Sequence, residues 1–413
     1  MKLLLIAGAR PNFMKIASIV DAIRAYSESG QTPRVEYCLV HTGQHYDERM
    51  SHSFFRDLGL PEPSVDLGVG SASHAVQTAE IMKRFEPALL KEQPDVVLVV
   101  GDVNSTIACT LVASKIEYLQ ANGSGRRRPL LAHVEAGLRS FDRAMPEEIN
   151  RILTDAISDL LFTTEAQAVE QLVREGIPKG RIHFVGNTMV DTLLKHREKA
   201  QQSTVLAKLG LSEAGLGAQG ATGGGQRQGV AVKRAVRPYA VATLHRPSNV
   251  DEPDTFRGIL DALSMIGKNV PIIFPVHPRT ASRIREFHLG RMVEFTPVDS
   301  GVPTGGSGVR CVDPLGYLDF LCLTANAAVV LTDSGGIQEE TTVLGVPCVT
   351  LRENTERPVT ITHGTNVLVG TKPEDIVTGA LKKLRDRKPR GIPDLWDGKA
   401  GERIIHILTE RVT

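Results

Sequence analysis

Short apolar runs that end in glycine or a polar residue recur along the chain, each followed by a longer stretch in which apolar residues return at helical spacing. Few folds satisfy that alternation, because parallel strands cannot be joined by tight turns and need a crossover of a dozen or more residues, which a helix supplies. Residues 3–7 read as a buried strand, after which Ile16, Ile19, Val20 and Ile23 fall at i, i+3, i+4 and i+7 and give a helix one apolar face. Further strands are expected at 35–40, 96–100, 130–134, 160–163 and 182–185. A second series is expected at 239–243, 272–276, 327–332 and 348–351. With 413 residues the chain is too long for one ordinary core. The expected fold is α/β, with two doubly wound domains facing a cleft, spanning residues 1–187 and 188–393.

Lysine and arginine number 48 against 47 aspartates and glutamates, so no net field draws the chain to nucleic acid or to an anionic membrane. An anionic ligand must then be held by a local site. Apolar stretches fall well short of the roughly 20 residues that span a bilayer. The N-terminal run is too short for a signal peptide and leads straight into Ala9, Arg10 and Pro11. Cys38, Cys109, Cys311, Cys322 and Cys348 form no C-x-x-C pair, which fits a reducing compartment and an expected cytoplasmic location. Residues 210–237 and 300–308 (SGVPTGGSG) hold too few large apolar side chains to offset their ordering entropy and read as surface insertions.

In open α/β sheets the ligand lies beyond the carboxyl ends of the strands. In TDSGGIQEE an apolar run leads into Ser334, Gly335 and Gly336 and then a helix, which would offer backbone N–H groups and a positive helix end to a phosphate. The plainer alternative is that Ser334 caps the helix and the glycines make a tight turn. Glu340, further into that helix, reads as an acceptor for ribose hydroxyls or as part of a solvated face. Arg10 and Lys15 flank the start of the first helix as a second cationic site, although for Lys15 by itself a surface role is the better reading. Asp102, Glu135 and Glu147 follow buried strands or open helices and could exchange protons with a substrate. Asp102 could instead cap a helix near Asn104, and Pro146-Glu147-Glu148 is also an ordinary helix opening. Glu135 has the weakest plain alternative, since a carboxylate closing an apolar strand is costly unless something binds it. His245 and His277 each end a strand of the second series, where a turn histidine is the competing reading.

No G-x-G-x-x-G stands between a strand and a helix, and there is no Walker A motif, so nicotinamide redox chemistry and ATP-driven phosphoryl transfer lose support. No Asp/His cluster has metal-ligand spacing, and neither metal nor cofactor is expected. The segments GARPNFMK, HTGQHYDERMS, GDVNST, HVEAGLRSFDRAMPEEINR, GNTMVDTL, TLHRPSNVD, PVHPRT, TDSGGIQEE and GVPCVTLRENTERP stand in this order over residues 8–358. Together they resemble the non-hydrolysing UDP-N-acetylglucosamine 2-epimerases. That resemblance implies a glycosyltransferase-B-type fold of two Rossmann-like domains, with a C-terminal helix at about 394–413 returning to the first. It implies a homodimer, a UDP-sugar substrate, no cofactor, and a place in supplying cell-surface polysaccharide precursors. Carried over by motif, Asp102, Glu135, Glu147 and His245 form the catalytic set, with Arg10 and Lys15 beside them. Ser334, Gly335 and Gly336 hold the diphosphate, Glu340 the ribose and Arg357 the phosphate side, while Leu315 and Phe320 meet the uracil.

The implied reaction makes sense of the missing cofactor. The C2 hydrogen of the sugar is not next to a carbonyl, so no carboxylate can simply remove it and return it to the other face. Breaking the C1–O bond to UDP while C2 loses its proton gives 2-acetamidoglucal, and re-addition of UDP with protonation from the opposite face gives the manno epimer. Cations and the Ser-Gly-Gly helix end would stabilise the departing diphosphate. Many members read G-T-R-P-E where this chain has Gly8-Ala9-Arg10-Pro11-Asn12, and H-R-R-E where it has His245-Arg246-Pro247-Ser248. Some bacterial members bind a second substrate molecule as an activator near a Q-H-R segment, which here is Gln44, His45 and Tyr46. The competing functions are epimerisation of a related UDP-sugar such as a diacetamido-glucuronate, hydrolytic release of the free sugar, glycosyl transfer on the same fold, and non-catalytic sensing.

Overall fold

The computed structural model describes residues 1–43, 55–119, 125–212, 236–298, 308–386 and 391–412, and of Arg10 the backbone. Gln44, His45 and Tyr46, nearly all of 300–308 and most of 210–237 lie outside these residues. The chain divides into two units: Met1–His196 with Thr355–His363 and Gly391–Thr413, and Arg197–Asn354 with Gly364–Arg390. This division differs in two places from the one expected at 187. Thr188–Gln201 begins by packing into the first unit, where the Thr192 hydroxyl donates to the Met14 carbonyl at 2.6 Å. Thr355–His363 returns to the first unit because Arg357 pairs there with Glu135.

Apolar runs in the first unit become β1 (Lys2–Ala7), β2 (Glu36–His41), β3 (Val65–Asp66), β4 (Val96–Val100), β5 (Leu130–Ala136), β6 (Leu160–Thr163) and β7 (Ile182–Phe184). They pair in parallel in the order β3-β2-β1-β4-β5-β6-β7. Helix α1 (Arg10–Glu28) follows β1, with Phe13, Ile16, Ile19, Val20 and Ile23 buried to 2% exposure or less. Each such side chain contributes about 1.5–3 kcal/mol. Strand order reverses beside β1, so a crevice opens where β1 and β4 end. Helix α2 (Asn104–Ala113) follows β4, and α3 (Pro146–Ile157) opens on proline with Glu147 and Glu148 in its first turn. The terminal helix Ala400–Val412 packs on α1, where a Cβ on Gly401 would sit 2.7 Å from the Ser18 carbonyl oxygen.

The second unit repeats the principle with β8 (Ala240–Thr243), β9 (Ile272–Pro275), β10 (Glu294–Phe295), β11 (Val309–Val312), β12 (Val329–Thr332), β13 (Cys348–Thr350) and β14 (Asn366–Leu368). These are parallel in the order β10-β11-β9-β8-β12-β13-β14, so the reversal falls between β8 and β12. Ala240, Leu244, Phe256, Leu260, Phe274 and Leu331 belong to its core. Helix α4 (Gly335–Leu344) follows β12 and stops at Gly345, whose φ of 70° a side chain would resist. The flanks of the Gly-rich segment are held together, Ser212 bridging Val236 and the Arg237 N–H donating to the Leu211 carbonyl at 2.9 Å. Every strand expected from the apolar pattern forms, with ends moved by two residues at most. Among the described residues no helix is long and apolar enough to cross a membrane.

Candidate active site

Glu135 sits where β5 loses its register with β6, between Val134 and Ala136, and has a φ of 74°. A left-handed conformation costs a non-glycine residue about 1–3 kcal/mol and persists only where its surroundings fix it. Two cations do so: Lys15 Nζ lies against one carboxylate oxygen, and Arg357 Nη2 donates to the other at 2.5 Å. All three side chains are at most 8% exposed. A surface role for Lys15 is thereby excluded. Gly101 makes room for it, since a Cβ there would stand 2.8 Å from Lys15 Nζ, and glycine also accepts the local φ of 67°.

Asp102, the next residue, pairs with Arg151 on α3. It does not cap α2, whose N-cap position is held by Val103 without a side-chain bond. Arg151 is 2% exposed and also donates to Glu148 from Nε at 2.9 Å and Nη2 at 2.6 Å, while Glu356 lies 3.9 Å away. Because Glu356 is 3.6 Å from Arg357, one chain of ions runs Lys15, Glu135, Arg357, Glu356, Arg151, Asp102. Glu148 is tied into the backbone by the Ser140 and Phe141 amides at 3.0 and 2.8 Å. Its neighbour Glu147 is half-buried and makes no hydrogen bond or ion pair to another described residue, which leaves its carboxylate open to exchange protons. Asn12 staples the crevice: its oxygen accepts from the Gly8 and Ala9 amides at 3.2 and 2.8 Å, and its amide donates to the Val100 carbonyl at 3.0 Å.

In the second unit His245 leans on Asp333, with Nδ1 3.0 Å from Oδ1. Asp333 is fully buried and also accepts from the backbone amides of His245 and Arg246 and from Asn249. Burial alone would raise its pKa, but the pull of the His245 ring and these hydrogen bonds outweigh it and hold the carboxyl below the usual range. The His245 ring is thus oriented while half of it stays exposed. His277, by contrast, caps the helix Pro278–Glu286, accepting from the Arg279 amide at 3.3 Å, so the turn reading fits it. Ser334 holds the N-cap position of α4 without any side-chain cap bond, so capping is not what the hydroxyl does. Gly335 is buried and Gly336 half-buried at the start of α4, and such a helix end is worth about 0.3–2 kcal/mol to an anion. Leu315 and Phe320 are both half-buried, in the loop before and the first turns of the helix Tyr317–Ala325.

Glu340 is 4% exposed, which excludes a solvated face. Its Oε2 has no hydrogen-bond partner among the described residues, and burial, helped by Glu339, pushes its pKa up to about 8. A carboxyl whose folded value is raised contributes stability that is complete below its unfolded value near 4.5 and is lost as pH rises through about 8. Glu340→Gln cannot suffer that loss. In urea unfolding of the ligand-free protein the variant should gain on the wild type by on the order of 3 kcal/mol between pH 5 and pH 9. A constant difference over that window would contradict the assignment.

Two parallel, doubly wound seven-stranded sheets, one in each unit, belong to an α/β fold of the glycosyltransferase-B type, which the solved structure below shares. The UDP-N-acetylglucosamine 2-epimerase of Methanocaldococcus jannaschii is 39% identical over 411 residues, 99% of each chain. Its crystal structure in complex with UDP-GlcNAc and UDP matches with a TM-score of 0.80, over 99% of this chain and 100% of that one. The UDP-2,3-diacetamido-2,3-dideoxy-D-glucuronate 2-epimerase of Pseudomonas aeruginosa is 38% identical over 413 residues, 99% of this chain and 100% of the other. A sequence model described as UDP-N-acetylglucosamine 2-epimerase matches residues 27–409, and the chain belongs to that family.

Proposed function

We propose that this chain interconverts UDP-N-acetylglucosamine and UDP-N-acetylmannosamine by eliminating UDP and adding it back. The observation that carries the reading is the chain of ions at the β1/β4 crevice, which sets Glu135 and Asp102 beside fixed cations. In the forward direction the C1–O bond breaks with its electron pair going to UDP, a carboxylate takes the C2 proton, and C1=C2 forms. On return, the UDP oxygen bonds to C1 and an acid delivers a proton to the other face of C2. Asp102 and Glu147 are assigned this acid–base work, with Glu135 supporting or sharing it. Lys15, Arg357 and Arg10 stabilise charge on the leaving diphosphate, and His245, oriented by Asp333, completes the catalytic set. Ser334, Gly335 and Gly336 bind the diphosphate through the α4 end, Glu340 the ribose, and Leu315 with Phe320 the uracil.

Incubation with UDP-N-acetylglucosamine in heavy water, followed by proton NMR, tests this. Expected are the manno epimer as nucleotide sugar and solvent deuterium at C2 of both epimers. Free N-acetylmannosamine as the sole product would discard the proposal. The similarity to the diacetamido-glucuronate epimerase, within one per cent of the first relative, gives the second reading. A higher kcat/KM for that substrate, which differs by a C6 carboxylate and a C3 acetamido group, would favour it. The five cysteines, all buried and free, support a cytoplasmic location. A homodimer feeding polysaccharide synthesis completes the proposal, supported by family membership and by exposed Val76, Leu90 and Leu153 on the helices of the first unit.

A further inference from the structure

His133 is the one ring buried inside β5, two residues before Glu135, and is fully inaccessible. Its Nε2 stands 2.8 Å from the Gly101 carbonyl, which can only accept, and its Nδ1 stands 2.7 Å from Asp155 Oδ1. Asp155, equally buried on α3, turns its other oxygen to the Gly137 amide at 3.1 Å and to Arg139 at 2.7 Å. Burial would raise the Asp155 pKa, but His133 first and Arg139 second outweigh it and keep it low, so the carboxylate serves as an acceptor for all three donors. Arg139 is balanced in turn by Glu175 at 2.6 Å.

The targets of these bonds are what matter. Gly101 immediately precedes Asp102 and has a φ of 67°. Gly137 follows Glu135 by two residues and has a φ of 81°, so the chain on either side of Ala136 is held in left-handed turns. Asp155 belongs to the helix whose first turn carries Glu147. Two side chains that cannot themselves reach solvent thus bind, through backbone groups or the helix itself, every segment of the first unit that bears one of the three acids.

We propose that His133 and Asp155 are positioning residues of the epimerisation, a buried clamp that sets the Asp102, Glu135 and Glu147 segments against one another. The proposal rests on the acid–base roles assigned to those carboxylates. Misplacing a reacting group by a fraction of an ångström is costly to the chemical step and nearly neutral to binding. An outer partner of a catalytic group typically accounts for a 10–100-fold effect when it is lost.

Two conservative variants take the clamp apart from its two ends. His133→Gln keeps a donor near the Nε2 position and loses the link to Asp155; His133→Asn keeps a donor near Nδ1 and loses Gly101. Each should lower kcat about 10–100-fold with KM within about 3-fold of wild type, and the C2 exchange rate should fall in step. Because the Gly101 bond acts on the adjoining Asp102, His133→Asn, which loses that bond, should have little further effect in an Asp102→Asn background. Wild-type kcat in both folded variants, a loss confined to KM, full additivity in the double variant, or failure of both variants to fold would each overturn the clamp. An unchanged rate in Asp102→Asn alone would instead overturn the acid–base assignment on which it rests.

Discussion

Asp102→Asn should lower kcat about 10³-fold while KM for UDP-N-acetylglucosamine stays within a few fold and the folded state is barely affected. The amide has the shape of the carboxylate but cannot take up a proton at pH 7, and loss of a positioned acid–base group removes about 10²–10⁴ in rate. Folding is spared because Arg151, the group left facing the amide, keeps its two bonds to Glu148. Arg151 therefore does not become a buried, unpaired charge, which would have cost several kcal/mol. Steady-state kinetics give the first quantity and deuterium uptake at C2 the second; both should fall together, since both need the same proton transfer. A thermal midpoint within about 2 °C of wild type would exclude unfolding as the cause. Full retention of exchange would assign the proton to another group, and Glu147, which has no side-chain partner among the described residues, is the next to replace.

The strands that announce themselves in the sequence are those whose apolar side chains bury on both faces of a parallel sheet, such as Val96–Val100. Within the two seven-stranded sheets, four strands escape that signal for separate reasons. Val65–Asp66 and Glu294–Phe295 have two residues each, too few to show a period. Arg310 interrupts Val309–Val312, where it is buried with Nη1 bonded to the Leu209 carbonyl. Asn366 opens Asn366–Leu368 as a buried amide between Thr350 and Gln338. The candidate site divides in the same way. Asp102 and Glu135 stand out because each is a lone charge closing an apolar strand. Arg151, Glu356, His133 and Asp155 do not, because the partners that draw them into the site, Asp102 for Arg151, Arg151 for Glu356, and His133 and Asp155 for each other, lie tens to hundreds of residues away. Arg357 meets Glu135 across 222 positions, and no local pattern encodes such a meeting. Helical period also disguises Asp155 and Arg151, since charges on α3 read as a wetted face until the sheet covers them. His245 and His277 occupy equivalent places in the sequence, and only Asp333 on one and a helix amide on the other tell them apart.

Gly186→Ala should destabilise the first unit by about 3–5 kcal/mol, and the reason is a single carbonyl. Gly186 joins β7 to the helix Thr188–Gln201 with a φ of 90°, and a Cβ there would stand 2.0 Å from the Leu395 oxygen and 2.9 Å from its carbonyl carbon. Both are backbone atoms, so no rotamer change relieves the overlap. The segment before the terminal helix would have to lift, and it is anchored on both sides. Trp396 donates to the Thr164 carbonyl at 2.9 Å, Asp191 accepts from the Gly401 amide at 2.8 Å, and Arg403 donates to the Val185 carbonyl at 2.9 Å. Left-handed backbone costs alanine about 1 kcal/mol, and forcing packed backbone aside adds about 1–3 kcal/mol, more when several hydrogen bonds go with it. Gly176→Ala separates the two causes, because Gly176 has a φ of 85° and a Cβ there would meet nothing within 4 Å; it should cost only the first increment. Trp396 is the sole tryptophan, 3% exposed and next to Leu395, so its fluorescence reports on the displaced segment itself. A red-shifted native emission and a midpoint lowered by about 6–15 °C are expected for Gly186→Ala. Equal, small effects in the two variants would mean that the segment yields freely and that its hydrogen bonds hold nothing in place.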